Sequence, residues 1–234
     1  MTELLFRDHV GAIEAGRFLR VVNYHNTPHW HAADYERELA AYARAFAPVT
    51  VEDLDFLFET GFWPYDRPGI LPVFYEGLRN NAETAAPILD VLGLVGWFFV
   101  PTAFLSIPVP EQAVYAGANT IGLIGEDEFP DGRFAMTWDQ LAKLGGRHVI
   151  AAHTANHSRA GSIVTDEDVE REVVEPTRAI EDAVGGAPEV FAWLGGESFG
   201  MHPAADAALL ENGYRYVFSN TKIQRIAPCS TAGA

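Results

Sequence analysis

The chain has a single cysteine, Cys229, in 234 residues. No internal disulfide can staple it, so its stability has to come from burial, and the pattern fits a reducing compartment. Cys229 sits among small residues with no base beside it and reads as a bystander thiol. Basic residues are also scarce. Sixteen Lys and Arg face 32 Asp and Glu, a formal charge of −16, which argues against nucleic acid and anionic membrane surfaces as partners. No apolar run approaches the ~20 residues that span a bilayer. The first residues, Met1 to Asp8, have neither a basic segment nor an apolar one, so no export signal is expected and the cytoplasm is the expected location. Repeats, low-complexity tracts and linkers are lacking too. With 48% hydrophobic and 21% charged residues, the expectation is one globular domain over 1–234.

What is present is an alternation. Apolar, β-branched or aromatic runs at 19–24, 71–75, 97–100, 148–152, 190–193 and 216–219 read as strands buried on both faces. Helical patterns lie between them at 34–46, 81–92, 138–144, 166–184 and 204–212. Thr165 is an expected N-cap with Asp168 three residues on, and Gly93 and Gly213 are expected helix stops. Strands alternating with helices imply parallel βαβ units, and six or more suggest a barrel. The segment 107–133, rich in Pro, Gly and acids, reads as a long loop that could wall a substrate site.

The most informative residues are His153 and His157, in His153-Thr154-Ala155-Asn156-His157, directly after the run at 148–152. Two imidazoles four apart, leaving a strand and entering a turn of helix, point the same way and can share a metal ion. The competing reading is a pair of surface or core-edge histidines.

These flanks carry a resemblance. The chain resembles the polysaccharide deacetylase family, the NodB-like metal-dependent deacetylases. Val21-Val22-Asn23-Tyr24-His25 is similar to that family's opening strand. The run from Leu71 to Gly77 is similar to its first motif, usually Thr-Phe-Asp-Asp-Gly, and His153 to His157 is similar to its second, His-Thr/Ser-x-x-His. Phe191-Ala192-Trp193-Leu194-Gly195-Gly196 sits where Phe-Ala-Tyr-Pro-Tyr-Gly is common. The resemblance implies a distorted (β/α) barrel of seven or eight strands, with the site at the strands' C-terminal ends. It also implies a divalent metal on Glu76, His153 and His157, with zinc the first choice and iron, cobalt or nickel as others.

The departures are equally specific. Where the family places its general base and its metal carboxylate, this chain has Tyr75 and Glu76. Glu76 keeps a carboxylate, so a carboxylate/His/His triad survives; an exposed strand-end acid is its plainer reading. Tyr75, with a pKa near ~10, is protonated at neutral pH and cannot act as that base. It is either a packed aromatic or a hydroxyl donor to an oxyanion. The third motif lacks its Pro, the Arg that steadies the base in some members is missing, and no late His suits the general acid. Glu197, on a glycine-flexible loop, is either a solvated acid or the replacement base. His25 is a core-edge histidine or a proton donor at the site, and Trp193 a pocket wall or core aromatic. His29 and His31 read as solvated loop residues, and Asp139 as a first-turn helix acid.

The function expected is metal-dependent hydrolysis of an amide: N-deacetylation, deacylation or deformylation of a small intracellular molecule. One alternative is a non-haem iron oxygenase using two His and one carboxylate. Another is a non-catalytic binding protein with Tyr75 filling the old pocket. Homo-oligomerisation is left open.

Overall fold

A computed structural model describes residues 9–124 and 128–227; Cys229, and with it the reading of its thiol, lies outside the described residues. The chain begins α1 (His9–Glu14), β1 (Leu19–Tyr24), α2 (Ala32–Ala45), β2 (Ala47–Pro48), α3 (Val51–Thr60), β3 (Gly69–Tyr75), α4 (Ala86–Leu92) and β4 (Trp97–Val100). Next come α5 (Thr102–Ser106), α6 (Gln112–Ala118), α7 (Trp138–Gly145), β5 (Val149–Ala152), α8 (Asp166–Val169) and α9 (Glu175–Val184). The last elements are β6 (Val190–Ala192), α10 (Pro203–Glu211), β7 (Tyr216–Phe218) and β8 (Ile223–Arg225).

The strands pair in the order β1-β3-β4-β5-β6-β7-β8, with β2 beside β3. Every pairing is parallel except β7 with β8. Parallel neighbours need a crossover, which the intervening helices supply. The sheet curls into a half-barrel.

Side-chain alternation along each strand feeds two cores. Phe74, Phe98, Ile150, Phe191 and Val217 face outward under the helices. Leu71, Val73, Trp97, Phe99, Ala151, Tyr216 and Phe218 fill the concave interior, with Leu54 of α3. Burial on both faces therefore holds for the central strands and fails for β1. Arg20, Val21 and Asn23 are exposed, because among the described residues β1 pairs only with β3 and the barrel does not close against β8.

Local signals explain several helix boundaries. Thr165 and Asp168 form the expected capping box, as do Thr50 with Asp53 and Thr137 with Gln140. Asp139 lies in the first turn of α7, and Gly93 ends α4 in the left-handed conformation. Two π turns, Asn81–Ala85 and Glu170–Val174, precede Pro87 and Pro176 at the starts of α4 and α9. A proline lacks the N–H and crowds the carbonyl four residues earlier, so the helical ladder widens there.

The segment 107–133 is not structureless, as its composition suggested. It contains a short 3₁₀ turn, Val109–Glu111, and α6. Its apolar residues Ala116, Ile121 and Phe129 pack with Leu78, Phe104 and Phe134 as a third cluster, a burial too short-ranged to show as periodicity. No helix among the described residues is long and apolar enough to cross a membrane.

Candidate functional site

At the C-terminal ends of the strands lies a cavity of about 330 Å³ lined by His25, Tyr75, Glu76, His153, His157 and Trp193 among others. Five of the six emerge directly from strand ends: His25 after β1, Tyr75 and Glu76 at the end of β3, His153 after β5 and Trp193 after β6. The chain bends hard here. The non-glycine residues with left-handed φ among those described are Glu76 (74°), Thr120 (59°), Thr154 (60°) and His157 (56°). Three of them line the cavity, and the fourth sits between the two histidines. Such conformations cost ~1–3 kcal/mol each and concentrate at functional sites.

The stretch from His153 to His157 is therefore not a turn of helix, as its spacing suggested. Thr154 and His157 in the left-handed region fold it into a bend. The imidazoles converge all the same, edge to face with ring centroids 4.8 Å apart. Nδ1 of His153 lies 2.6 Å from the Ala192 carbonyl, and Nδ1 of His157 lies 2.8 Å from that of Asn119. A carbonyl only accepts, so each Nδ1 carries the proton and each Nε2 keeps its lone pair. Backbone acceptors behind the ring are the arrangement that orients a ligating imidazole. Burial also holds both rings neutral: it pulls the His153 pKa down to about 3, helped by His157, and lowers that of His157.

Glu76 is buried, and its Oε2 has no hydrogen-bond partner among the described residues. Burial pushes its pKa up to about 7, opposed by a hydrogen bond from the Gly122 amide. Its Oε1 lies 3.8 Å from His25 Nε2. Glycine is favoured at Gly77 behind it, since a Cβ there would be strained at a φ of 63° and would crowd Leu105 Cδ1 at 2.9 Å and Val100 Cγ1 at 3.1 Å. Asn80, Asn81 and Thr27 tie the β1 and β3 ends together: Thr27 donates through N to Asn80 and through Oγ1 to Asn81, whose Nδ2 donates to the Tyr75 carbonyl.

Tyr75 stacks on Phe99 and on His25, at 5.1 and 5.5 Å between centroids, and lies 5.4 Å from the His153 ring. Burial pushes its phenol up to about 12, so it is a protonated donor. Trp193 is 1% exposed, and its indole N–H has no partner among the described residues. His25 is held below the usual imidazole range by burial and is neutral at pH 7.

The structure thus brings His25, Tyr75, Glu76, His153 and His157 to one cavity, and Trp193 as its wall. It does not bring Glu197 there. That carboxylate accepts from the Ala160 amide at 3.1 Å and lies 3.6 Å from His202, so the loop's glycines turn it to the backbone of a neighbouring loop. His29 and His31 stay at the surface, beside Glu128 and Asp34. Sequence reasoning missed Asn119, Thr120 and Gly122, delivered from the segment after α6, and also Asn220 and Arg159. Only Arg159, two residues beyond His157, carried a local signal.

For a divalent ion the donor chemistry fits: two imidazoles with preset tautomers and one buried carboxylate with an orphaned oxygen, all on one cavity. Among the described residues these groups are not drawn together into a set of three that could hold a metal. The fit is therefore one of donor type and placement on a shared wall.

The sequence matches the family model for polysaccharide deacetylase over residues 67–217. The chain belongs to the polysaccharide deacetylase family. The matched span takes in β3 through β7 and both motifs around Glu76 and His153. Among solved structures, IcaB from Ammonifex degensii is similar at 18% identity and TM-score 0.61, covering 86% of this chain and 83% of its own. Deacetylase PplD from Streptococcus pyogenes, solved in complex with acetate, is similar at 13% identity and TM-score 0.65, covering 88% and 85%. A de-N-acetylase from Aggregatibacter actinomycetemcomitans is similar at 17% identity and TM-score 0.61, covering 89% and 91%. At these identities the likeness is one of fold. The curated proteins contain no significant match.

Proposed function

We propose that the chain hydrolyses the amide of an N-acylated amine, using a divalent metal held by His153, His157 and Glu76. Membership of the polysaccharide deacetylase family supports amide hydrolysis and favours an acylated amino sugar. The observation that carries the reading is the pair of buried imidazoles, each anchored through Nδ1 to a backbone carbonyl, on the same cavity as a carboxylate with an orphaned oxygen.

Zinc is the first choice for two imidazoles and a carboxylate. A bound ion would polarise the acyl oxygen and acidify water. The chain's own groups do the rest. His25, neutral and on the solvent side of the cavity beside Glu76, takes a proton from the water that attacks the acyl carbon and returns it to the leaving nitrogen. The Tyr75 hydroxyl, without a partner among the described residues, lines the same cavity and can hydrogen-bond the acyl oxygen as it becomes an oxyanion. His25 takes the base role that the sequence assigned to Glu197, whose carboxylate is engaged elsewhere.

The test is direct. The protein, loaded with zinc and dialysed, is analysed for metal and assayed for acetate release from N-acetylated amino sugars. His153→Ala and His157→Ala are expected to lose both. Metal content unchanged in both variants would overturn the reading.

A further inference from the structure

The open seam of the half-barrel holds a second cavity, of about 390 Å³, lined on one side by Leu19 and Val21 of β1, Leu57 and Phe58 of α3, and Ile223 of β8, and on the other by the polar turn between β7 and β8. It exists because β8 turns back on β7 instead of pairing with β1, so the inner face of β1 is left open. Val21 and Phe58 are 40% and 41% exposed, unusual for inward-facing apolar side chains of a barrel. The seam is not separate from the site above it. Asn23, Tyr75 and Asn220 line both cavities. From Asn23 at that shared wall down to Leu19 the slot follows four residues of strand, about 13 Å.

We infer that this slot binds the acyl chain of the substrate, so that the enzyme is built for amides of medium-length apolar acids as well as acetyl. The inference rests on the amide-hydrolase reading above. Tyr75 decides the direction. Its hydroxyl has no partner among the described residues, and its side chain forms part of both cavities. An acyl oxygen bound by that hydroxyl places the carbon chain attached to it beyond Tyr75, in the slot against Val21, Leu19 and Phe58. The amine side then lies toward His25 and the glycine pair Gly195 and Gly196, on the solvent-facing side. The apolar side chains of β1, α3, Phe218 and Ile223 can desolvate methylenes along one side of the slot, while Asn23, Asn220 and the polar turn Ser219, Thr221 and Lys222 line the rest, which suits a chain with an amide at one end.

The experiment compares N-octanoyl-glucosamine, N-acetyl-glucosamine and N-acetyl-octylamine as substrates of the zinc-loaded protein. It also measures octanoate binding by calorimetry on the same preparation. Val21→Trp fills the slot from β1, and Phe58→Glu places a charge in it from α3; neither residue belongs to the catalytic machinery. The wild type is expected to favour the octanoyl amide over N-acetyl-octylamine, and each variant to lower kcat/KM for it by about tenfold or more while acetyl hydrolysis changes less than about twofold. Octanoate binding is expected in the wild type and lost in both variants. If octanoate binds in this way and no amide is hydrolysed, the slot stands and the hydrolase reading falls. If acetyl amides are hydrolysed while octanoate does not bind, or both variants depress both substrates equally, the slot is not an acyl site.

Discussion

The Glu172 carboxylate accepts two hydrogen bonds from Asn156, one from its backbone N–H at 3.0 Å and one from its side-chain amide at 2.9 Å. Asn156 lies between His153 and His157, and its Oδ1 in turn accepts from the Tyr115 hydroxyl. Glu172 itself sits in the π turn that Pro176 imposes. A proline in one helix thus places the carboxylate that holds the bend between the two imidazoles.

Glu172→Gln replaces one carboxylate oxygen with an amide donor, leaving Asn156 short of an acceptor. Zinc affinity is expected to fall by about 10–100-fold, the usual effect of disturbing the groups that orient metal-ligating histidines. Stability should fall by about 1–3 kcal/mol, the cost of an unmet buried polar group. Competition with a chromogenic chelator and urea unfolding of the metal-free protein measure the two separately. Unchanged affinity would show that the bend keeps its shape without Glu172.

Gly196 makes a different demand. Its φ is +67°, and a Cβ there would lie 2.2 Å from Asn220 Oδ1. Asn220 donates through Nδ2 to the Gly195 carbonyl and through its backbone N–H to that of Gly196, so its amide has little freedom to retreat. Gly196→Ala is expected to cost about 1–3 kcal/mol from backbone strain and the displaced amide. Chemical denaturation checks it. Gly185→Ala, also left-handed but with nothing within 4 Å of the added Cβ, separates backbone strain from the clash.

Local features were legible in the sequence and long-range ones were not. The strand before His153 and the spacing to His157 are adjacent in the chain, so the pair could be read. The carbonyls that fix their tautomers, Ala192 and Asn119, lie 39 and 38 residues away, and nothing in the sequence marks a backbone acceptor. Glu197 shows the converse. Its position in a glycine-rich loop near the motif was correct, but loop φ angles decide where a carboxylate points, and here it caps Ala160. The helix α3 was missed although Thr50 and Asp53 carry a full capping signature. Its side chains at the seam, Leu57 and Phe58, were lost with it. The gap between β1 and β8 depends on how far the sheet curls, which no run of residues encodes.

His148 gives the fold a pH dependence away from the site. Its ring is buried, and its Nδ1 accepts from the Gly96 N–H at 3.2 Å. Burial lowers its pKa from 6.5, with Asp90 opposing and Arg147 adding. In the unfolded chain the imidazole takes up a proton near pH 6.5, while in the folded protein it stays neutral to lower pH. The stabilisation is therefore present above about pH 6.5 and is lost as pH falls toward the folded pKa. The urea midpoint is expected to drop between pH 7 and pH 5, and His148→Gln to flatten part of that drop. An acid limb of equal slope in the variant would assign the dependence to other groups.

Tyr75→Phe removes one oxygen and keeps the ring. Because the hydroxyl has no partner among the described residues and the ring's stacking on Phe99 and His25 is unaffected, stability should change by less than about 0.5 kcal/mol. Metal content should not change either, since the phenol is not among the proposed ligands. If the hydroxyl donates to the developing oxyanion, kcat should fall by about 10²–10³-fold with KM little altered, the signature of an interaction made mainly in the transition state. A donor that merely holds the ground-state carbonyl would raise KM instead. Steady-state kinetics on an N-acetylated amino sugar tells these apart, and a variant with full kcat would make Tyr75 a packing residue at the wall between the two cavities.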